Sequence, residues 1–428
     1  MGLYISILMF VVTLLLGVPV GICLGLTGMI GVMTIGGVPF KVIAQRIFTG
    51  LDSFPLMCIP FFILAGEIMN RARIVDRIVN FSDVLVGRFR GALAHGNVVT
   101  SMFFGGITGS AAADVSALGS IFIPAMKKAG YDAPFSAAIT ASSSLQGPII
   151  PPSILAVLYG ATMGESIGAL FAAGIPIGIL IGITDMIIVH FIAVKKNYPK
   201  KIIKVTFKEF MRIFANAVVA LVMPLIILGG ILSGIFTPTE AAAVAVGYAL
   251  FVGFLVIRTL KISDLPRLFI NAAVTTGVVF LLLASARLYS WVLCTYQVPA
   301  AISGAVLSIS SNPYVVILLI NIILLGVGCV MDPGAAIIML APALAPLAWQ
   351  VGIHPLQFGM IMIVNLCLGL ITPPVGLCLF ISANIAETSL EKVAWAVLPM
   401  FFLDLSVLFL VSYCQPFVLY VPKLFGFA

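Results

Sequence analysis

Gly147-Pro-Ile-Ile-Pro-Pro152 and Gly369-Leu-Ile-Thr-Pro-Pro374 stand 222 residues apart in a chain that is otherwise almost uniformly apolar. Moving outward at the same offset, Gly106, Pro124 and Gly130 recur as Gly328, Pro346 and Gly352. Glycine and proline break helices, and inside a bilayer the freed backbone groups must line a cavity or bind something. Corresponding breaks in the two halves of a chain point to the binding site of a transporter.

Composition fixes the class around those breaks. Of 428 residues, 62% are hydrophobic and 9% are charged, with a mean hydropathy of +1.23. Soluble domains carry roughly a quarter charged residues. The chain therefore reads as an all-α polytopic membrane protein in a lipid bilayer. Its net charge of +7 comes from short basic runs between apolar stretches, the pattern of cytoplasmic loops rather than of nucleic-acid binding. The seven cysteines lie in apolar segments without CxxC spacing and read as packing residues. Residues 1–39 carry no charge and no basic leading segment, and read as a retained first span over 3–35.

Basic residues set the topology. With Arg71 to Arg90, Lys127 and Lys128, Lys195 to Arg212, Arg258 to Arg267, and Lys392 inside, 18 of the 22 are cytoplasmic. Residues 91–126 then start and end on that side, with Gly105, Gly106, Gly109 and Ser110-Ala111-Ala112-Ala113 between. This predicts a re-entrant helical hairpin. From Leu288 to Glu391 there is no lysine or arginine, so the matching stretch, about 312–350, enters from the periplasmic side. The two repeats are thus inverted, each with a hairpin followed by a discontinuous helix.

Further spans are expected near 50–70, 166–194, 213–235, 241–257, 268–293 and 394–420, with the amino terminus cytoplasmic and the carboxyl terminus periplasmic. Lys41 and Arg46 fall on the periplasmic side against the rule, which leaves boundaries over 36–52 open. Residues 72–86 space Ile74, Ile78, Phe81 and Leu85 on one face, as in an interfacial helix that serves either as a lever or as a plain connector.

Several stretches carry a family resemblance: Ile59-Pro-Phe-Phe-Ile-Leu-Ala-Gly66, Gly147-Pro-Ile-Ile-Pro-Pro-Ser153, Phe236-Thr-Pro-Thr-Glu-Ala-Ala-Ala243, Asp332-Pro-Gly-Ala-Ala336 and Gly369-Leu-Ile-Thr-Pro-Pro374. In this order they resemble the large membrane subunit of tripartite ATP-independent periplasmic (TRAP) transporters, over about Val18 to Val397. The resemblance implies sodium-driven uptake of an organic acid across the bacterial inner membrane, with Na+ as the coupling ion and no other cofactor. It also implies a small four-span membrane subunit, a periplasmic binding protein, and an elevator mechanism. On that reading 1–90 holds scaffold spans and the interfacial arm, 91–165 the first hairpin and broken helix of the transport domain, and 166–298 scaffold and connecting spans. Residues 299–386 hold the second hairpin and broken helix, and 387–428 the last scaffold span.

Sodium needs several oxygens, and an unwound helix offers carbonyls beside hydroxyl, amide and carboxylate groups. In the first repeat Ser110 and Asp114 lie at the tip, with Ser142, Ser143, Ser144 and Gly147 at the break. In the second, Gly328 and Asp332 lie at the tip, with Asn365, Gly369 and Thr372 at the break. One sodium site per repeat is expected, built from tip and break together. Serines and glycines also serve close packing or bond a carbonyl one turn back. Asp114 and Asp332, costly in a membrane, read either as ion ligands or as helix caps.

An anionic substrate needs positive potential, which helix amino termini supply. Substrate contacts are expected from Arg287, Ser143, Pro151 and Pro373; Arg287 has the alternative of a structural pair. Glu67, Asp185, Glu240 and Asp404 lack partners at the 222-residue offset and read as architectural, with Glu240 suited to a helix cap after Thr237. Trp291, Trp349 and Trp395 suit an interfacial belt. A self-sufficient carboxylate symporter of elevator fold would share these features. An intramembrane hydrolase would not, since neither HExxH nor GxSxG is present and the three histidines are scattered. A channel fits inverted breaks poorly.

Overall fold

A computed structural model describes residues 2–200 and 206–427; Lys201 and Lys204 of the basic run lie outside the described residues. Among the described residues there are helices and no strands. The first repeat comprises α1 (Gly2–Leu15), α2 (Val20–Ile35), α3 (Lys41–Leu51), α4 (Cys58–Arg71), α5 (Ile74–Val86), α6 (Ala92–Thr108), α7 (Ala111–Lys128), α8 (Ala133–Ser143), α9 (Ile154–Met163) and α10 (Ile167–Lys195). The second comprises α11 (Phe207–Leu232), α12 (Pro238–Phe251), α13 (Leu265–Thr295), α14 (Val298–Ile309), α15 (Pro313–Gly328), α16 (Pro333–Gln350), α17 (Pro355–Gly369), α18 (Leu377–Ala386) and α19 (Leu390–Tyr413), and α20 (Gln415–Leu424) closes the chain. Among the described residues, seven helices are long and apolar enough to cross a bilayer.

The hairpins are α6/α7 and α15/α16, and the broken helices are α8/α9 and α17/α18. Local chemistry sets these boundaries. Ser110 caps α7, Ser153 caps α9 and Asp332 caps α16, each accepting from backbone N–H groups of the first turn. Proline opens α8, α16 and α17, where its missing N–H costs nothing. Thr237 and Glu240 form a reciprocal capping box at α12: Thr237 N donates to Glu240 Oε2 at 2.7 Å and Glu240 N to Thr237 Oγ1 at 3.3 Å.

The expected single span over 3–35 is two helices. Gly17, at φ +75°, and Pro19 turn the chain, and Gly2 comes to lie against Thr34 while Ser6 faces Gly31, so α1 and α2 are antiparallel. An uncharged run carries no marker for such a turn, and so charge counting passed over it. α2 runs parallel to α13: Gly21, Gly25, Gly28 and Gly31 face Leu282, Ser285, Leu288 and Val292 in order. Small residues on this stripe let the helices approach closely. Thr34 Oγ1 lies 3.2 Å from Tyr296 Oη. The amino terminus is therefore at the Tyr296 end of α13.

Together α3 and α4 run back along α13. Arg46 lies 5.3 Å above the Trp291 ring, Gly50 abuts Arg287, and Arg71 pairs with Asp264 at 2.8 Å. This settles 36–52 as an eleven-residue helix, α3, that begins the crossing completed by α4. The basic clusters meet at the Asp264 end. Arg90 bonds Asn197 at 3.0 Å, Lys127 bonds the Ala386 carbonyl at 2.9 Å, and Lys196 pairs with Asp132. Phe427 packs on Gly168 at the start of α10, at the other end. Both termini thus share one end, where the sequence reading had put them on opposite sides.

The broken helices form the centre. From Leu356 to Gly369 every residue of α17 is buried, and so is every residue of α8 from Phe135 to Ser143. α10 and α19 pack against both α8 and α17. α5 buries Ile74, Ile78 and Phe81 between α6 and α11, and Leu85 stays exposed. All seven cysteines are free; Cys294 is exposed and Cys414 half-buried, and the others pack inside.

Candidate ion and substrate site

Each hairpin tip lies against the break of its own repeat. In the first, Gly109 turns the chain at φ +63°, and a Cβ there would sit 2.5 Å from the Pro152 carbonyl. A Cβ on Gly147 would sit 3.2 Å from the carbonyl oxygen of Ser110, and one on Gly105 would sit 2.8 Å from Gly147 Cα. In the second, a Cβ on Gly369 would lie 2.6 Å from Gly328 Cα. Only glycine permits these backbone approaches. The Pro151-Pro152 and Pro373-Pro374 peptides are both cis.

Of the first repeat's expected ligands, Asp114 and Ser143 are brought together through Ser101. Ser101 Oγ lies 3.1 Å from Ser143 Oγ and 3.4 Å from Asp114 Oδ1. Asp114 is fully buried and its Oδ2 has no partner. Ser110 caps α7 at the tip, and Ser144 donates to the Ala141 carbonyl at 2.6 Å. Ser142 faces the other way, its Oγ 2.7 Å from Asp185 Oδ1 and 3.1 Å from Asp404 Oδ2.

In the second repeat Asp332 Oδ1 accepts from Gly334 N at 2.9 Å and Ala335 N at 3.3 Å, so the capping reading of this residue holds. The 222-residue offset pairs it with Ser110, the cap of the first hairpin. Asn365 donates to Asn321 Oδ1 at 2.8 Å and to the Asn321 carbonyl at 3.0 Å, and its own Oδ1 is unpartnered. Thr372 bonds the Leu368 carbonyl at 2.7 Å. Gly328 and Gly369 form the close backbone contact.

A cavity of about 340 Å³ separates the two tips from α4 and α13. On one side stand Ser110 and Ala111 at the start of α7 with Asp332 and Gly334 at the start of α16; Glu67, Asn70 and Thr275 stand opposite. Two helix amino termini therefore present their positive ends to this space. The four expected substrate contacts lie elsewhere. Ser143 faces Ser101, the Pro151 carbonyl abuts Gly106, Pro373 sits in the second break, and Arg287 donates to the Ala161 carbonyl at 3.2 Å.

Sequence reasoning missed Ser101, because its counterpart at the offset is Ile323 and the pattern gave no cue. It also set Glu67 aside as architectural, although Glu67 and Asn70 share a helical face that turns to the cavity. Asp185 and Asp404 stand 219 residues apart, about one helical turn from the repeat offset, a near-match that was the available signal.

Inverted hairpins seated on broken helices around a cavity are the architecture of a transporter permease. The YdaH transporter of Alcanivorax borkumensis, described as having an unusual topology, shares the fold with a TM-score of 0.61 at 13% identity, over 87% of each chain. The chain belongs to the DctM component family of tripartite ATP-independent periplasmic transporters, whose sequence model matches residues 7–417. The sialic acid TRAP transporter large permease of Vibrio cholerae is 38% identical over 409 residues, which cover 96% of each protein. The isethionate TRAP transporter permease of Oleidesulfovibrio alaskensis is 39% identical over 94% of this chain, which spans 64% of that longer relative. The protein is a multi-pass membrane permease and not an enzyme, as the family resemblance implied.

Proposed function

We propose that the protein takes up an organic acid across the bacterial inner membrane, driven by sodium. One observation carries this reading: a buried carboxylate, Asp114, keeps one oxygen unpartnered beside Ser101 and Ser143, next to a cavity faced by two helix amino termini. An unpaired carboxylate in hydrocarbon is costly by roughly 3 kcal/mol on insertion scales, and a sodium ion offsets that cost. The first sodium site would use Asp114, Ser101, Ser143 and carbonyls near Ser110 and Gly147. The second would use Asn365 Oδ1 with carbonyls at Gly328 and Gly369, while Asp332 orders the tip.

The substrate carboxylate would bind in the cavity at the starts of α7 and α16. Relatives named for sialic acid and for isethionate support an organic acid as the class. Because α10 and α19 pack on the broken helices, they would move with the hairpins in an elevator step against α4, α11, α12 and α13. With the basic end cytoplasmic, both termini would face the periplasm. A small four-span subunit and a periplasmic binding protein would complete the system.

The test is reconstitution of the chain with the neighbouring small subunit and binding protein in liposomes. Uptake of the acid held by that binding protein should require an inward sodium gradient. Equal uptake with potassium replacing sodium on both sides would refute sodium coupling, and full uptake by this chain alone would refute the three-part assembly.

A further inference from the structure

Beyond the tip sites, α10 and α19 bring two carboxylates to one point on α8. Asp185 and Asp404 are at most 1% exposed, and both lie within hydrogen-bond reach of Ser142 Oγ. Neither belongs to an ion pair; among the described residues those pairs involve Arg71, Lys127 and Lys196.

The hydrogens fall short of the oxygens. Ser142 has one hydroxyl proton and so donates to only one of its two carboxylates at a time. Thr184 also has one, shared between the Ile181 carbonyl at 2.7 Å and Asp404 Oδ1 at 3.0 Å. Asp185 Oδ2 is unpartnered by hydrogen-bond geometry. Gln146, beside Asp185, is fully buried, and neither of its side-chain polar atoms has a hydrogen-bond partner. Carboxylate and hydroxyl oxygens from both repeats thus converge on one point, and an oxygen ligand set suits a hard cation.

We propose that Asp185, Asp404, Ser142, Thr184 and Gln146 form a sodium site distinct from the tip sites. The inference rests on the sodium-driven reading and extends it. Ser142 and Ser143 are consecutive on the last turn of α8, and one faces this cluster while the other faces Ser101 and Asp114. An ion here ties α10 of one repeat and α19 of the other to the turn that serves the first tip. Loading of the two positions is thereby coupled through α8, without a shared ligand.

Equilibrium binding of radioactive sodium to the purified chain, held with its small subunit in potassium buffer at fixed pH, tests this. Asp185→Asn and Asp404→Asn should each raise the half-saturating sodium of one site tenfold or more, and Asp114→Asn should weaken a different one, so that Asp114→Asn with Asp185→Asn loses two. Ser142→Ala, which keeps both carboxylates, serves if the charge-removing variants fail to fold, and should weaken one site at least fivefold. Unchanged stoichiometry and half-saturation in all of them overturn the inference while leaving the tip sites intact. Unchanged sodium binding with altered proton release assigns the pair to a proton and overturns it too. No sodium binding by the unmodified protein refutes both this site and the sodium-driven reading.

Discussion

Asn365 Nδ2 lies 2.8 Å from Asn321 Oδ1, and at the matching point of the other repeat Ser143 Oγ lies 3.1 Å from Ser101 Oγ. Each contact ties the last turn before a helix break to the first helix of the adjoining hairpin. Amide serves in one repeat and hydroxyl in the other, so the repeats share a frame while differing in ligand chemistry. An ion drawn to a tip would therefore pull on the break as well.

Ser101→Ala should weaken the first sodium position. The variant removes a side-chain hydrogen bond to Asp114 together with one of the two partners of Ser143, the other being the Thr140 carbonyl. A hydrogen bond to a charged group is worth about 1.5–3 kcal/mol, and about 1.4 kcal/mol is tenfold in affinity. The 3.4 Å contact places the effect at the low end. Sodium titration of uptake should show a rise of roughly tenfold in the half-saturating concentration, and an unchanged value would remove Ser101 from the ion path.

Gly369→Ala should be far more damaging than Gly147→Ala. The new methyl at 369 would meet the Gly328 carbonyl group and, at 2.6 Å, its Cα, whereas at 147 the nearest atoms are the Ser110 and Ser144 carbonyl oxygens at 3.2 Å. Backbone cannot swing aside as a side chain can, and overpacking of this kind costs about 1–3 kcal/mol or more. Detergent thermal stability and membrane yield should drop strongly for Gly369→Ala and modestly for Gly147→Ala. Equal yields and melting temperatures would mean that the second tip is free to move off its break.

The doubled breaks were readable because glycine and proline act locally and the offset repeats them without a gap. Ser110 and Asp332 could be paired for the same reason, and the structure makes both of them helix caps. The α1/α2 turn escaped notice because Gly17 and Pro19 sit in an uncharged run of spanning length, where hydropathy and charge fall silent. The cavity wall opposite the tips was hidden for another reason: Glu67 and Thr275 are 208 residues apart, and only packing of α4 on α13 brings them to one space. Asp114 and Ser143 were both named, but the group that joins them, Ser101, was not, since a lone serine in an apolar helix is usually a packing residue.

Topology can be read directly. A periplasm-dependent reporter fused ahead of Met1 should be active, as should one after Ala428, while fusions after Lys195 should be silent. The physical basis is that Gly2 sits by Tyr296 and Phe427 by Gly168, both away from the Arg71 and Asp264 end. A silent amino-terminal fusion beside an active carboxyl-terminal one would restore a single first span.

The Asp132 and Lys196 pair at the basic end should give a small, acid-sensitive contribution. The Lys196 ammonium, followed by the Tyr198 hydroxyl, holds the Asp132 carboxyl below its ordinary value. A folded value below the unfolded one means that the contribution is present at neutral pH and fades as pH falls through the ordinary carboxylate range, near about 4, and below it. With both side chains about half exposed, solvent screening limits the pair to under about 1 kcal/mol. Melting temperature should separate the unmodified protein from Asp132→Asn slightly at pH 7, and the two should converge as the pH approaches about 3. Parallel curves over that range would show that the pair is energetically silent.

Arg287 offers the clearest division between a structural and a substrate role. Its guanidinium donates to the Ala161 carbonyl near the carboxyl end of α9, where a cation satisfies an orphan acceptor and favours the negative end of the helix. Its stem packs on Gly50 of α3, so the residue clamps α3, α9 and α13 together. Arg287→Lys keeps the charge but loses the planar fork, and should lower thermal stability while leaving the half-saturating substrate concentration within twofold. Arg287→Met, which removes the donor, should lower stability further with the same kinetic constancy. If instead Arg287→Lys raised half-saturation fivefold or more at unchanged melting temperature, the guanidinium would have to leave Ala161 and reach the bound acid during transport.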